Sequence, residues 1–247
     1  MDALFLPAIP THINSIFNLS FSYVMKLAKI NQALICLTLI SITLLLIRVI
    51  YTGSLKYSFL VWNLILAAVP YIIAYWINNI KSGTHLEMSR YTKLVLLLSG
   101  ACIWLLFLPN AFYIVTDFIH LRYGGGLQFL FDTLMLTSFS VAALALGSAS
   151  VVLIYRSFFA DRGSWNQLLF FLACSFLSAI GVYLGRVLRW NSWDIITDPL
   201  GLLSDLLKLM DYNYVNLRIW SAIMILSAIY LTALYLSQKL LHVRKIS

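Results

Sequence analysis

Charge is the scarcest thing in this sequence. Asp, Glu, Lys and Arg together make up 11% of its 247 residues, against about 25% in a soluble globular domain. So few charges cannot cover a water-facing surface, which excludes an ordinary soluble enzyme, a disordered chain and a free nucleic-acid binder. Cysteine is nearly as sparse. Cys36, Cys102 and Cys174 stand alone inside apolar runs; an odd number without a CxxC pair gives neither a disulfide framework nor a zinc site. They read as small apolar packing residues. Missing too are HExxH, GxSxG, a Walker motif and carboxylates paired at catalytic spacing. No repeat period marks a solenoid, and no inverted repeat suggests a transporter.

What is present is hydrocarbon. Hydrophobic residues make up 62% and mean hydropathy is +0.90. A bilayer core needs about 20 mainly apolar residues per helix, and six runs qualify: 32–51, 58–79, 92–109, 128–155, 166–189 and 215–238. The fold class expected is an all-α polytopic membrane protein of about six transmembrane helices plus two interfacial amphipathic helices. Residues 1–29 mix Phe5, Ile9 and Phe17 with polar residues and read as an N-terminal interfacial segment. Residues 30–241 form one helical transmembrane domain, and 242–247 a short basic tail. The first apolar run reads as a retained span, because no basic n-region or cleavage site accompanies it.

Net charge is +8, but the basic residues flank apolar runs as anchors do, so membrane lipids rather than nucleic acid are the expected partners. With six spans, Arg48, Lys56, Arg122, Arg186, Arg189, Lys208 and Arg218 lie on one side, and the other ten of the 17 basic residues on the side of the termini. That bias predicts cytoplasmic termini. It puts Asp117, Asp132, Asp194, Asp198, Asp205 and Asp211 on the outer side.

Two stretches carry the candidate site. In Leu108-Pro109-Asn110-Ala111-Phe112-Tyr113-Ile114-Val115-Thr116-Asp117-Phe118-Ile119-His120-Leu121, Pro109 is expected to end or kink the third span. Beyond it, Asn110, Tyr113, Asp117 and His120 fall within about 80° on a helix. Asp117 and His120, three apart, are neighbours on that surface. They are candidate acid and base, the carboxylate orienting the imidazole, or candidate metal ligands. The alternative is a hydrogen-bonded polar stripe that locks the span to a neighbour. Which cofactor or metal, if any, is unknown from the sequence.

The second stretch is Gly181-Val182-Tyr183-Leu184-Gly185-Arg186-Val187-Leu188-Arg189-Trp190-Asn191-Ser192-Trp193-Asp194. Gly181 and Gly185 make a GxxxG face suited to close helix approach, with Tyr183, Arg186 and Trp190 expected on the opposite face. Arg186 and Arg189 are candidates to receive a phosphate or carboxylate; as interfacial anchors they would instead snorkel beside Trp190 and Trp193. Asp132 opens the fourth span, where a helix N-terminus favours a carboxylate; lying on the same side as Asp117, His120 and Arg186, it is also a candidate binding residue. Gly124, Gly125 and Gly126 before it read as a flexible connection or an anion nest. Asp198-Pro199 starts a second interfacial helix with Leu202, Leu203, Leu206, Leu207 and Met210 on one face.

These two stretches resemble the signatures of an uncharacterised bacterial membrane-protein family, catalogued as domain of unknown function 1361, and the apolar pattern extends the likeness over about residues 35–240. Matching positions are Pro109, Asn110, Tyr113, Thr116, Asp117, His120, Arg186, Arg189, Trp190, Asn191 and Asp194; members often carry Pro where Phe112 stands. The resemblance implies a multi-span membrane protein and transfers no activity. It adds Thr116, Asn191 and Asp194 to the candidate binding residues. Three functions follow as expectations: a binder or enzyme for an anionic amphiphile at the outer leaflet, a structural or assembly subunit, and a small transporter.

Overall fold

The computed structural model describes residues 11–82, 88–121, 126–159, 162–210 and 217–241, with side chains described from Leu27 onward and not at 210, 240 and 241. The proposed tail at 242–247, residues 1–10, and Gly124 and Gly125 lie outside them. The elements are α1 (Thr11–Thr52), α2 (Phe59–Ser82), α3 (Arg90–Tyr113), a 3₁₀ helix (Ile114–His120), α4 (Gly126–Phe159), α5 (Ser164–Arg186), α6 (Asp194–Thr197), α7 (Pro199–Met210) and α8 (Leu217–Leu241). No strand occurs among the described residues. Six stretches are long and apolar enough to cross a bilayer: 27–52, 59–82, 90–120, 126–159, 164–186 and 217–239. They fall where the apolar runs predict them. The expected boundary at residue 29 does not interrupt the backbone, because α1 runs unbroken from Thr11.

Local signals set the ends. Gly53, at φ 63, terminates α1 in the left-handed conformation that glycine adopts without a Cβ clash, and its N–H returns to the Val49 carbonyl. Ser89 caps α3 by accepting from the Thr92 amide. Neither Pro70 nor Pro109 ends its helix. Pro109 was expected to end or kink the third span; it does not end it, and α3 continues one turn past it. The ring finds room over Gly181, where an added Cβ would sit 2.4 Å from Pro109 Cγ. Close approach at the GxxxG face is therefore real: Gly181 receives Pro109, and Gly185 receives the Tyr113 ring.

The bundle is built around α4. In its most apolar window 72% of residues are buried inside the protein, against 17–33% in the other five spans. Its small residues, from Ser140 through Ala142, Ala143, Gly147, Ser148 and Ser150, let neighbours approach closely, as helices in lipid require. α1, α2, α3, α5 and α8 all pack on it, and Trp104 of α3 donates to the Ser150 hydroxyl. The outward Leu, Ile and Trp side chains of the other spans are the lipid-facing surface.

Six crossings bring the start of α1 and the end of α8 to one end, called here the proximal end. The α1–α2 connection, the 3₁₀ helix and α6–α7 lie at the other, distal end. α7 is the amphipathic helix expected after Asp198-Pro199, and Asp198 caps it by accepting from the Gly201 amide. Its Leu209 enters the core while Leu200, Leu203 and Leu207 stay exposed.

Candidate functional site

The distal end holds two Arg–Asp pairs of parallel construction. In the first, Arg186 at the last turn of α5 donates to Asp117 of the 3₁₀ helix and, through Nε and Nη2, to the Thr116 hydroxyl at 2.9 and 2.7 Å. Its guanidinium lies over the Tyr113 ring, 4.1 Å from the centroid. Asp117 is fully buried. Its second oxygen accepts from Asn63 Nδ2 of α2 at 3.0 Å. In the second pair, Arg48 of α1 donates from Nε to Asp132 of α4 at 2.9 Å and lies over the Tyr57 ring at 4.5 Å. Its Nη1 reaches the Ser54 carbonyl. Both Arg and Asp here are buried.

The two pairs are joined at the end of the 3₁₀ helix. The His120 carbonyl accepts from both the Tyr57 hydroxyl and Lys56 Nζ, each at 3.1 Å. The His120 ring packs edge-on against Phe59 and sits 3.5 Å, through Nε2, from Arg186 Nη1. Guanidinium has no acceptor, so this contact is a hydrogen bond only when Nε2 is the unprotonated nitrogen.

The expected orienting bond between Asp117 and His120 is not made. The carboxylate turns inward to Arg186 and Asn63, and the imidazole emerges at the surface. The backbone explains this. A 3₁₀ helix keeps residues three apart on one face but rises about 2 Å per residue, so His120 stands roughly 6 Å beyond Asp117, past the end of the packed bundle. Among the described residues no group of three or more His, Cys, Asp or Glu is placed to hold a metal.

The second stretch also lands here. Arg186 was expected on the face opposite Gly185; its long side chain instead turns to the end of α3. The loop after α5 folds back over α3: Asn110 Nδ2 donates to the Ser192 hydroxyl, which donates to the Leu106 carbonyl. Thus Tyr113, Thr116, Asp117, His120 and Arg186 form one assembly, and Asn110 ties the loop after α5 to α3 beside it. Asp132 does not join it; its partner is Arg48, and at the seventh residue of α4 that pairing, not the helix terminus, accounts for its burial. Asn191 and Asp194 bond each other, and Asp194 also holds Thr197, so both close the first turn of α6.

Arg189 occupies the left-handed region at φ 64, a conformation that costs a non-glycine residue about 1–2 kcal/mol. The loop holds it there by a Trp190 N–H bond to the Leu184 carbonyl. Its side chain is exposed and makes no hydrogen bond or ion pair among the described residues.

Trp190 donates from its indole to Asp205 of α7 at 3.1 Å, latching α7 to the loop. The Lys208 ammonium and this indole hold the Asp205 carboxyl below the usual carboxylate range. A depressed folded-state value means that the latch contributes fully above the ordinary carboxylate pKa of about 3.9, and fades as pH falls through the lowered value. Acid titration should therefore change Trp190 emission below the normal carboxylate range, measured as wild type minus Trp190→Phe. Asp205→Asn should remove that transition; a transition that persists in Asp205→Asn assigns it to another group.

Arg48, Asn63, Lys56 and Tyr57 are the contributors that sequence reasoning did not place in the site. Arg48 was counted only as a flanking charge. Its signal was its position inside an apolar run, where an Arg costs about 2.5–3.5 kcal/mol at mid-helix and calls for a partner.

A family model described as "Protein of unknown function (DUF1361)" matches residues 62–233, which contain both signature stretches. No curated protein and no solved structure matches the chain.

Proposed function

Because the chain belongs to the protein family of unknown function DUF1361, whose description carries no activity, we propose from the geometry that it is a multi-pass membrane protein that receives the anionic head group of an amphiphile at its distal end. The observation that carries this reading is the basic rim around His120. Arg186 is fixed by Asp117, Thr116 and Tyr113 with Nη1 turned toward the surface. Lys56 is exposed with its Nζ on the His120 carbonyl, and Arg189, in the loop after α5, is exposed and makes no hydrogen bond or ion pair among the described residues. Asp117 is neutralised and buried, so its role in this reading is to orient Arg186, and His120 is a contact rather than a base. The proposed location is the bacterial plasma membrane, as the resemblance implies, and the distribution of Lys and Arg, ten of 17 on the side of the termini, supports cytoplasmic termini with the rim outside.

The test is binding to the purified protein in phosphatidylcholine vesicles, comparing a long-chain alkyl phosphate with the matching alkyl phosphocholine. The phosphate is expected to bind more tightly. Lys56→Ala and Arg189→Gly should each weaken it about tenfold, from roughly 1.5 kcal/mol per charge-assisted contact. Arg189→Gly should at the same time raise thermal stability by about 1 kcal/mol through relief of its backbone. Equal binding of the two probes, or full affinity in both variants, rejects the reading.

One observation favours a second reading, a structural or assembly subunit: both oxygens of Asp117 are committed to other helices. On that reading Arg189→Gly gains stability and loses nothing, and a partner co-purifies at fixed stoichiometry.

A further inference from the structure

The spans carry their hydroxyls in two ways. Many bond back to their own helix: Ser41 donates to the Leu37 carbonyl, Ser150 to Gly147 and Thr232 to Ala228. That is the resort of a hydroxyl with no bulk water in reach. Four do otherwise. The hydroxyls of Ser148, Ser175, Ser178 and Ser227 are buried and have no hydrogen-bond partner among the described residues. Ser148, Ser175 and Ser178 are at most 1% exposed.

The four converge at one depth. Ser175 is the central residue of the 164–186 span, and Ser227 is next to the centre of the 217–239 span. Ser178 lies one turn of α5 distal to Ser175. Ser148 is placed by its neighbours. Tyr155 of α4 packs edge-on against Phe171 of α5, with ring centroids 6.0 Å apart. A seven-residue step returns a helix to within about 20° of the same face and advances it about 10.5 Å. α4 and α5 run in opposite directions, so that step toward the distal end leads from Tyr155 to Ser148 and from Phe171 to Ser178. The two serines therefore face each other across the gap that the two rings fill at the level below. α4 and α5 hardly touch directly; both lean on α3 and α8. α8 closes another side. Its Tyr230, one turn from Ser227, reaches across to the Phe112 carbonyl of α3, so this face of α8 looks into the same interior.

We propose that Ser148, Ser175, Ser178 and Ser227 form an internal hydration site, which holds ordered water between α4, α5 and α8 at the middle of the membrane. A buried water needs about three polar partners, and each hydroxyl offers a donor and spare acceptor capacity. Serines on three helices supply these from different directions. Close packing by small side chains does not account for them. Alanine packs as closely without leaving a polar atom unpaired in hydrocarbon, and α4 uses it for that purpose at Ala142, Ala143 and Ala149.

The experiment is radiolytic footprinting of the full chain in phosphatidylcholine vesicles. A brief X-ray pulse turns water into hydroxyl radicals that oxidise the side chains beside it, and mass spectrometry maps the oxidation. Phe171 and Phe139 are a matched pair, the same side chain at 2% and 0% exposure. Phe171 lies one turn from Ser175, whereas Phe139 packs in the core between α4, α1 and α2. Phe171 should be oxidised several-fold more than Phe139. Ser148→Ala combined with Ser178→Ala should bring Phe171 down to the Phe139 level and leave the exposed Tyr91 unchanged, which checks the dose. Alanine is smaller than serine, so this pair removes the polar partners without filling the space. Should that protein fail to fold, Ser175→Ala with Ser227→Ala carries the same test. Phe171 no more oxidised than Phe139 in the wild type overturns the proposal. So does Phe171 oxidation that survives both double substitutions. Thermal unfolding reads the same site independently. Both double variants should melt below the wild type, because the water loses its partners; a higher melting temperature in both overturns the proposal, since it marks hydroxyls that were buried dry.

Discussion

Asp117→Ala is expected to cost about 3–5 kcal/mol of folding stability, because it leaves Arg186 as an uncompensated charge in a packed, largely dry contact. Asp117 is fully buried, and the Arg186 side chain keeps 19% of its exposure, so the lower half of that range applies. Asn63 loses its partner in the same step. Arg186→Ala should cost a comparable amount by stranding the buried carboxylate. The double substitution Asp117→Leu with Arg186→Met should recover much of the loss, since apolar residues of similar volume replace a buried pair at little cost or with gain. Thermal unfolding of the four purified proteins checks this. If Asp117→Ala unfolds with the wild type, the pair is not a lock, and a chemical role for Asp117 returns.

Gly181→Ala is the second large effect. The added Cβ would stand 2.4 Å from Pro109 Cγ and 2.7 Å from its Cβ. A proline ring does not rotate aside, so α3 and α5 must separate. Overpacking of this kind costs about 1–3 kcal/mol, and here it also displaces the Arg186 assembly one turn away. Gly185→Ala meets Tyr113 Cε2 at 3.3 Å, a ring edge that can tilt by a few tenths of an ångström, and the Trp190 carbonyl at an ordinary 3.5 Å, and should cost clearly less. Equal losses at the two glycines, read by thermal unfolding, would show that the helices are not in contact at Pro109.

The spans were legible because length and hydropathy suffice to define them. The polar stripes were legible as stripes, since Asn110, Tyr113 and Asp117 recur at helical spacing whether or not the helix ends at Pro109. Their pairing was not. An Asp and a His three apart suggest each other, while Arg186 is 69 residues further along the chain; only the packing of α3 on Gly181 and Gly185 brings it to Asp117. Continuation of α3 through Pro109 was hidden for the same reason, because the space for the ring belongs to α5. The centrality of α4 had a signal, the run of Ala, Gly and Ser between residues 140 and 150, which marks close approach on several sides. Asp132 was misread because a helix N-terminus is a sufficient local explanation, and Arg48 looked like an ordinary membrane anchor.

Both ion pairs join charges that are made far apart in time. Arg48 precedes Asp132 by 84 residues, and Asp117 precedes Arg186 by 69. At 5–20 residues per second of synthesis, an interval of that length lasts roughly 4–17 s. Through that interval the first span emerges with a cation whose counter-charge does not yet exist, and the third later waits with an anion in the same state. The order of synthesis thus leaves α1, α2 and α3 without their central partner until α4 arrives to neutralise Arg48, and without the Asp117 clamp until α5 follows. Assembly of this bundle is gated from its middle: the nascent chain must shelter an isolated charge beside the lipid until the fourth helix is delivered.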